Sequence, residues 1–293
     1  MSSVRACPIC GCAPNKLSFP YTTSFNGVIF NYVKCGMCKS VYVDPVPDEF
    51  TFSLMYAKTA YHDLHYDDIK EDDYNESAQL LSQVLSPGAT VLDYGCGVGG
   101  FLKACRSKGL TPVGVEFDSE AALYAEEISK CEVIEVKDFS KYALPSSVDA
   151  VHIGDVLEHL PDPAGTLSFL ISLLRPGGMM FIEGPLELNP SVVYWASRAF
   201  GTIKRVIRPK FLPSGPPHHL FRIGEYQQKR FFAQVDSSLR MFHWQVYETG
   251  WPYIGGGVVK RSIAVCAILL GGRHFAGATF GNRFKAMLVK PNP

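Results

Sequence analysis

The chain has 293 residues, 47% of them hydrophobic, and its 28 Lys and Arg balance 28 Asp and Glu. This suits one large or two smaller globular domains with a real core, and zero net charge argues against a long polyanionic partner, whose affinity rests on neutralised phosphates. No apolar run approaches the ~18 residues of a spanning helix, and Met1-Ser2-Ser3-Val4-Arg5 lacks a signal peptide's apolar segment, so a cytoplasmic protein without stable membrane insertion is expected.

Cys7-Pro8-Ile9-Cys10 opens the chain, and Cys35-Gly36-Met37-Cys38 follows after 24 intervening residues. Two C-x-x-C pairs at this separation, in a leaderless chain of nine cysteines, point to thiolate metal ligands rather than disulfides. They suit one tetrahedral zinc held by Cys7, Cys10, Cys35 and Cys38; four thiolates leave no open position, so the zinc is structural and Cys12 is spare. Residues 28–34 read as a strand with 17–19 as its partner. Residues 1–45 then form a small zinc-ribbon-like domain that depends on its metal. Residues 46–86 are a linker rich in aromatics and histidines (Tyr56, Tyr61, His62, His65, Tyr66) followed by a helix over 72–85. Ala78, Leu81 and Leu85 share a face of that helix, and Pro87-Gly88 stops it.

Val91 and Leu92 end an apolar run after that turn and read as a buried strand. Asp93 and Tyr94 come next, then Gly95, Gly97, Gly99 and Gly100, and then a helical pattern from Phe101. Strand, glycine turn and helix bring backbone N–H groups close to a ligand. Asp93 decides which ligand. A carboxylate two residues before the first glycine would repel a pyrophosphate. It would attract a ligand bearing an ammonium and a sulfonium, such as S-adenosylmethionine (SAM). The next strand-like run ends in Glu116, roughly 20 residues past the glycines, where an acid can accept both ribose hydroxyls.

The segment Asp93-Tyr94-Gly95-Cys96-Gly97-Val98-Gly99, with Glu116, resembles the class I SAM-dependent methyltransferases. The resemblance implies an α/β fold with a Rossmann-like, seven-stranded sheet. It gives cofactor binding to Asp93, Gly95, Cys96, Gly97, Gly99, Glu116 and Phe117. It also puts Asp138 at the adenine amino group and Phe139 against the ring. A module with two cysteine pairs ahead of such a domain is similar to a subgroup of sugar C-methyltransferases and small-molecule methyltransferases. Tyr32-Val33-Lys34-Cys35-x-x-Cys38-x-x-Val41-Tyr42-Val43-Asp44-Pro45 carries that likeness. In this family the linker often lies over the cofactor.

The methyltransferase domain is expected over 87–293. A helix over 101–108, a strand over 112–116 and a helix over 119–129 (Ala122, Ala125 and Ile128 inward) begin it. Strands over 132–136 and 148–153, a turn at 175–178 and a strand over 179–183 continue the alternation of a parallel sheet covered on both faces. Residues 186–223 read as an insertion. Its lid helix is expected to pack on the core through Val192, Trp195, Ala199, Ile203 and Val206, with Arg198, Lys204, Arg205 and Arg208 on the basic side. An anionic substrate or a membrane surface are the alternatives for that basic side. After a helix over 225–235, residues 239–249 and 261–270 are expected to be the closing antiparallel strands.

Catalytic candidates gather where the strands' carboxyl ends should lie. His218 and His219, in the Pro-rich loop 213–221, suit general-base work near neutral pH. Asp155, Glu158 and His159 follow the fourth strand. Ubiquinone-pathway O-methyltransferases are similar here, with an E-x-x-E-H stretch associated with a divalent metal at the acceptor; in this chain the first acid is Asp155. Glu183 and Glu187, near the fifth strand's end, could bind or deprotonate the acceptor. The Asn/Asp-Pro-Pro-Tyr/Phe motif of adenine N6-methyltransferases is absent after the fourth strand. No nucleic-acid partner is therefore expected. The acceptor is taken to be a small hydroxylated metabolite, such as a nucleotide-linked sugar or a natural-product intermediate. O-, N- and C-methylation stay open, as does the oligomeric state. The competing class is a SAM-binding scaffold, a non-catalytic zinc-ribbon interaction protein; an intact Asp93, glycine turn and Glu116 argue against it.

Overall fold

The computed structural model describes residues 5–57, 71–141, 143–275 and 277–292. Tyr61, His62, His65 and Tyr66 of the linker lie outside the described residues.

The N-terminal part is a small antiparallel sheet. Strands β1 (Pro14–Phe25) and β2 (Val28–Cys35) pair across Asn26-Gly27, whose φ values of 47° and 73° are those a two-residue hairpin requires and Asn and Gly tolerate. Strand β3 (Val41–Asp44) pairs with β2. Helix α1 (Glu49–Tyr56) follows, its first turn capped by the Asp48 carboxylate accepting from the Thr51 N–H.

Helix α2 (Glu71–Ser82) leads into the main domain, burying Ala78 and Leu81. Its elements alternate as β4 (Thr90–Tyr94), α3 (Gly100–Ser107), β5 (Thr111–Glu116), α4 (Ser119–Ser129), β6 (Val133–Glu135) and a single turn, α5 (Val136–Phe139). Then come β7 (Val148–Gly154), α6 (Pro163–Leu173), β8 (Leu174–Pro185), α7 (Val192–Ile207), β9 (Phe221–Arg222) and α8 (Glu225–Val235). The chain closes with β10 (Arg240–Tyr247), α9 (Val258–Leu270), a short hairpin of β11 (His274–Phe275) and β12 (Ala278–Thr279), and β13 (Arg283–Val289). Seven strands form one sheet in the order β10-β13-β8-β7-β4-β5-β6, the Rossmann-like arrangement expected; only β13 runs antiparallel to its neighbours.

The burial explains the pattern. Central strand β4 is covered on both faces, so Val91, Leu92 and Asp93 are all buried and the strand reads as a continuous apolar run rather than an alternation. Leu167, Leu170, Ile182 and Phe231 fill one side of the sheet; Leu81, Phe101, Phe181 and Met287 fill the other. Strand order reverses at β4, flanked by β5 on one side and β7 on the other. The crevice beyond the carboxyl ends of these strands is where such a sheet binds ligands.

Several elements depart from the sequence reading. Residues 261–270 are not a strand but most of α9. The sequence there is a near-continuous apolar run bracketed by Gly257 and Gly271, and such a run fits strand and helix alike. Tertiary context decides: Ala264 and Ala267, three apart, pack together against Val193 and Tyr253. The closing antiparallel strand is instead β13, which inserts between β10 and β8. The turn at 175–178 lies inside β8 as a register irregularity opposite β7. The third strand stops at Glu135, where α5 begins. Ile128 faces solvent rather than the core. Helix α7 does not pack on the core through its expected face: Trp195, Ile203 and Val206 are at least half exposed, and Val193 is the helix's one buried residue.

The N-terminal sheet is not sealed off at residue 45. Strand β9, at the end of the 186–223 excursion, pairs with β3 as the sheet's fourth strand. Cys7, Cys35 and Tyr42 belong to the same apolar cluster as Leu157, Phe221 and Phe231.

Candidate active site and metal centre

The Sγ atoms of Cys7, Cys10, Cys35 and Cys38 lie within 4.8 Å of one another, with Cys7–Cys38 at 3.6 Å and Cys10–Cys35 at 3.5 Å. Thiolates at about 2.3 Å from a tetrahedral zinc stand roughly 3.8 Å apart, so these four fit the ion. Gly11 and Lys39, at φ 71° and 66°, close the two cysteine turns, and the Met37 N–H points at the Cys35 sulfur. Cys12 stands outside the set. Elemental analysis is expected to find one zinc per chain, retained in Cys12→Ser. Cys35→Ser should lose it and melt earlier, since Cys35 belongs to the shared core. Stoichiometric zinc in Cys35→Ser would show that the ligand set is wrong.

The glycine turn leaves β4 and enters α3. Gly95, Gly97 and Gly99 have φ values of 82°, 54° and 80°, conformations open to glycine and strained for other residues. Glu116, buried at the end of β5, accepts from the Gly97 N–H at 2.8 Å through one oxygen and from the Asp118 N–H at 3.1 Å through the other. Burial raises its pKa, against the pull of these N–H groups. The Cys96 side chain does not face the crevice. It packs with Leu102, Ala125 and Cys131, so only its backbone is available to a ligand. Phe117 is partly exposed and meets Phe52 of α1 edge-on, with ring centres 5.2 Å apart. Asp138 faces solvent and pairs with Lys141 at 2.5 Å, while Phe139 is buried beside Tyr94. These residues fit SAM: positive-φ glycines keep the turn close, and an oriented carboxylate closes the end of β5.

Beneath the turn lies a network that the apolar reading of β7 concealed. His152 stacks on Phe101 at 3.7 Å, bonds Asp93 through Nδ1 at 2.7 Å and approaches Glu183 through Nε2 at 3.2 Å. Glu183 is 3.5 Å from the Lys285 ammonium, which also reaches Glu76 and the Ser77 hydroxyl. Burial opposes the imidazolium, but Asp93 and Glu183 outweigh it and hold His152 up at about 9. Asp93 is thus held as the partner of a buried cation. The folded pKa lies above the unfolded value near 6.5, so this contribution to stability is full below about 6.5 and lost as pH rises through about 9. Thermal melts across that window should show the loss in wild type. His152→Phe, less stable throughout, should lack that component; an identical pH dependence in the variant would refute the charged network.

The catalytic candidates converge at the carboxyl ends of β7 and β8. The loop after β7 turns at Asp155, φ 52°, into a short 3-10 turn, Leu157–His159. Strand β8 delivers Glu183, and Glu187 follows it. The 213–221 loop returns His218 and His219, pinned by the Leu220 N–H donating to the Glu158 carbonyl. His219 Nδ1 lies 2.8 Å from Glu187, and Arg222 braces the other oxygen of that carboxylate at 3.3 Å. Burial works against charge on Glu187, but Arg222 and His219 hold its pKa down at about 2. Burial likewise lowers the His219 pKa, and Glu187 more than restores it, so the net shift is upward.

His159 is the counterpart. Its Nδ1 is 2.7 Å from the His218 carbonyl and 2.8 Å from the Tyr56 hydroxyl, which itself donates to that carbonyl. A carbonyl only accepts, so Nδ1 carries the proton. Burial, then the neighbouring His219, push its pKa well below the usual value, leaving a neutral ring with its lone pair on Nε2. Glu158 is buried 3.8 Å away, and burial raises its pKa to about 8. One ligand atom each from Glu158, His159 and His219 lies within 4.8 Å of the others, a group that could hold a divalent ion. Asp155 stands apart, paired with Arg283 at 2.6 Å. Sequence reasoning singled out His159, His218, His219 and Asp155. It missed Arg222, hidden in a two-residue strand, and gave Tyr56 no role beyond the linker.

A family model described as a methyltransferase domain matches residues 66–241. A ubiquinone biosynthesis O-methyltransferase of Xanthomonas campestris pv. campestris is 32% identical over 175 residues, covering 58% of this chain and 71% of that protein. The crystal structure of a SAM-dependent methyltransferase from Archaeoglobus fulgidus superposes with a TM-score of 0.53 at 19% identity, covering 78% of this chain and all of that one. A chain from the complex between the Haloferax volcanii Trm112 methyltransferase activator and a methyltransferase superposes with a TM-score of 0.57 at 18% identity, covering 84% and 100%.

Proposed function

The chain belongs to the methyltransferase-domain family as a SAM-dependent methyltransferase, and we propose that it transfers the methyl to a hydroxyl oxygen of a small metabolite. The observation that carries this reading is the His219–Glu187 pair at the carboxyl edge of the sheet, next to a neutral His159. SAM, when bound, supplies a methyl already activated on a sulfonium. Asp93, the 95–99 turn, Glu116, Phe117 and the 138–139 corner are the residues proposed to hold it. A hydroxyl acceptor needs a group to take its proton, and His219, oriented by Glu187, is that group. His159 Nε2 offers a second acceptor to the same hydroxyl. Tyr56 closes over the histidines from α1, which keeps water out. An O-methyltransferase among the relatives supports oxygen as the acceptor atom; the sugar C-methyltransferase likeness has no such support. The four-cysteine zinc is proposed to pin the N-terminal sheet, whose β3 holds β9 and hence the end of the 213–221 loop.

The test is a panel of phenolic, sugar and polyketide hydroxyl acceptors incubated with methyl-labelled SAM and read by mass and NMR. A product with the label on oxygen is expected. Label on carbon or nitrogen would overturn the assignment, and SAM binding without turnover on any acceptor would favour a scaffold. The cluster of Glu158, His159 and His219 favours a second reading, in which a divalent ion supplies Lewis-acid chemistry at the acceptor. Activity lost on chelation and restored by magnesium or manganese would support it; indifference to chelation would exclude it.

A further inference from the structure

The two stretches 188–224 and 249–293 hold twelve of the 28 basic residues and none of the 28 acidic ones. They contain α7 and α9, which pack side by side through Val193, Ala264 and Ala267. Each helix turns a long apolar face to solvent. On α7, Trp195, Ala199, Phe200, Ile203, Val206 and Ile207 recur at three- and four-residue steps and form one stripe. The contacts fix where the stripe points. The opposite side lies on β1: Gly201 sits against the Phe19 ring, Thr202 bonds the Tyr21 hydroxyl at 3.1 Å, and the Arg205 guanidinium covers the Tyr21 ring at 4.2 Å. Trp195, at the start of the stripe, meets the Phe280 ring edge-on at 5.5 Å, and from Ala199 onward the stripe faces away from the body of the protein, with Ile203, Val206 and Ile207 exposed by 54%, 75% and 71%. On α9, Val258, Val265 and Leu269 lie opposite the buried alanines and are likewise exposed.

Exposed basic side chains flank this surface. On a helical projection, Arg198 lies at one margin of the α7 stripe and Lys204 at the other, and Arg208, Lys210, Lys260 and Arg261 extend the charge. An apolar stripe with Arg and Lys on both margins is the arrangement of a helix lying in a bilayer interface, where long basic side chains reach phosphates while the stripe enters the acyl boundary. No helix among the described residues is long and apolar enough to cross a membrane.

We propose that the α7–α9 face docks this protein peripherally on an anionic phospholipid surface. The excursion carrying α7 starts just past Glu187 and ends at His218 and His219, so the docked helix is joined to the candidate site at both ends. The proposal is independent of which acceptor is methylated.

The test uses the full chain and sedimentation with vesicles of phosphatidylcholine alone or mixed equally with phosphatidylglycerol. Binding to the mixed vesicles that weakens with salt is expected, with little binding to neutral ones. Ile203→Asp combined with Val206→Asp should lower the vesicle affinity by at least about tenfold, with SAM affinity and melting temperature unchanged. Lys204→Gln with Arg208→Gln leaves the stripe intact and should cost about fivefold per charge removed. No binding of wild type to anionic vesicles, or unchanged binding by the aspartate variant, would overturn the proposal. So would a wild-type dimer that the aspartate variant dissociates while neither protein binds vesicles, which would make the face an interface between copies.

Discussion

Gly97→Val is expected to abolish SAM binding in calorimetry, at concentrations where wild type saturates. Gly97 sits at φ 54° and donates its N–H to Glu116 at 2.8 Å. A β-branched residue in this left-handed region costs on the order of 1–2 kcal/mol. Relieving that strain rotates the peptide and withdraws the N–H from Glu116, so the damage falls on the surface proposed to hold the cofactor. The neighbouring positions are poorer tests because they report on folding. A Cβ on Gly95 would stand 2.4 Å from Val156 Cγ2, and one on Gly99 would stand 2.9 Å from the Ala125 carbonyl. Asp93→Ala also removes the partner of the buried His152 cation. Glu116→Gln keeps the shape, removes the charge and exchanges one of the two accepting oxygens for an NH2 that cannot accept from the Gly97 or Asp118 N–H; it should weaken SAM by about tenfold or more, as expected for a lost charged hydrogen bond. Tight SAM binding by a folded Gly97→Val protein would overturn the placement of the cofactor at this turn.

The parts of the fold that could be read from sequence are those whose local signal and tertiary role agree. Strand β4 is a short apolar run between Pro87-Gly88 and the glycines, and α4 has Asp118 as its cap and Ala122 and Ala125 as its inward face. Residues 261–270 carry a run that satisfies helix and strand equally, and only the fit of Ala264 and Ala267 beside α7 settles it. Strand β13 was hidden for a different reason. Its Lys285 reads as a surface residue, yet it is buried because Glu183, Glu76 and Ser77 gather around it. The α7 stripe misled in the opposite sense. Its periodicity is real, but periodicity says only that a face is apolar, not that this chain covers it. The candidate site follows the same division. His218 and His219 stood out because histidines in a Pro-rich loop have few structural reasons to be there. His152 did not, because one histidine in an apolar strand looks like core. The pairing of His219 with Glu187 spans 32 residues and depends on the loop returning to β8, which no local pattern records.

That pairing makes His219 the residue whose loss should slow methyl transfer most. His219→Gln is expected to fold and bind SAM normally and to turn over about 10²–10⁴-fold more slowly, the usual worth of a general base. The geometry separates the two neighbours. His219 presents its side chain to Glu187 and keeps about a quarter of its surface exposed, while His218 contributes its carbonyl to His159 and Tyr56. His218→Gln should therefore cost less. The sign of the pH dependence follows from the shift. A base works in its deprotonated form, and Glu187 raises the His219 pKa above its ordinary value, so kcat/KM should climb with pH through that raised pKa. Glu187, held at about 2, stays ionised throughout the climb. Glu187→Gln removes the largest upward influence, so the climb should move to lower pH while the maximal rate falls, because the freed histidine is a weaker base. A residue that only shapes the loop would lower the rate without moving the profile. Raising the pH should partly rescue His219→Gln if the acceptor hydroxyl ionises unaided. If the single variants and the His218/His219 double variant all turn over like wild type, the loop only covers the site, and Asp155, His159 and Glu183 become the groups to test.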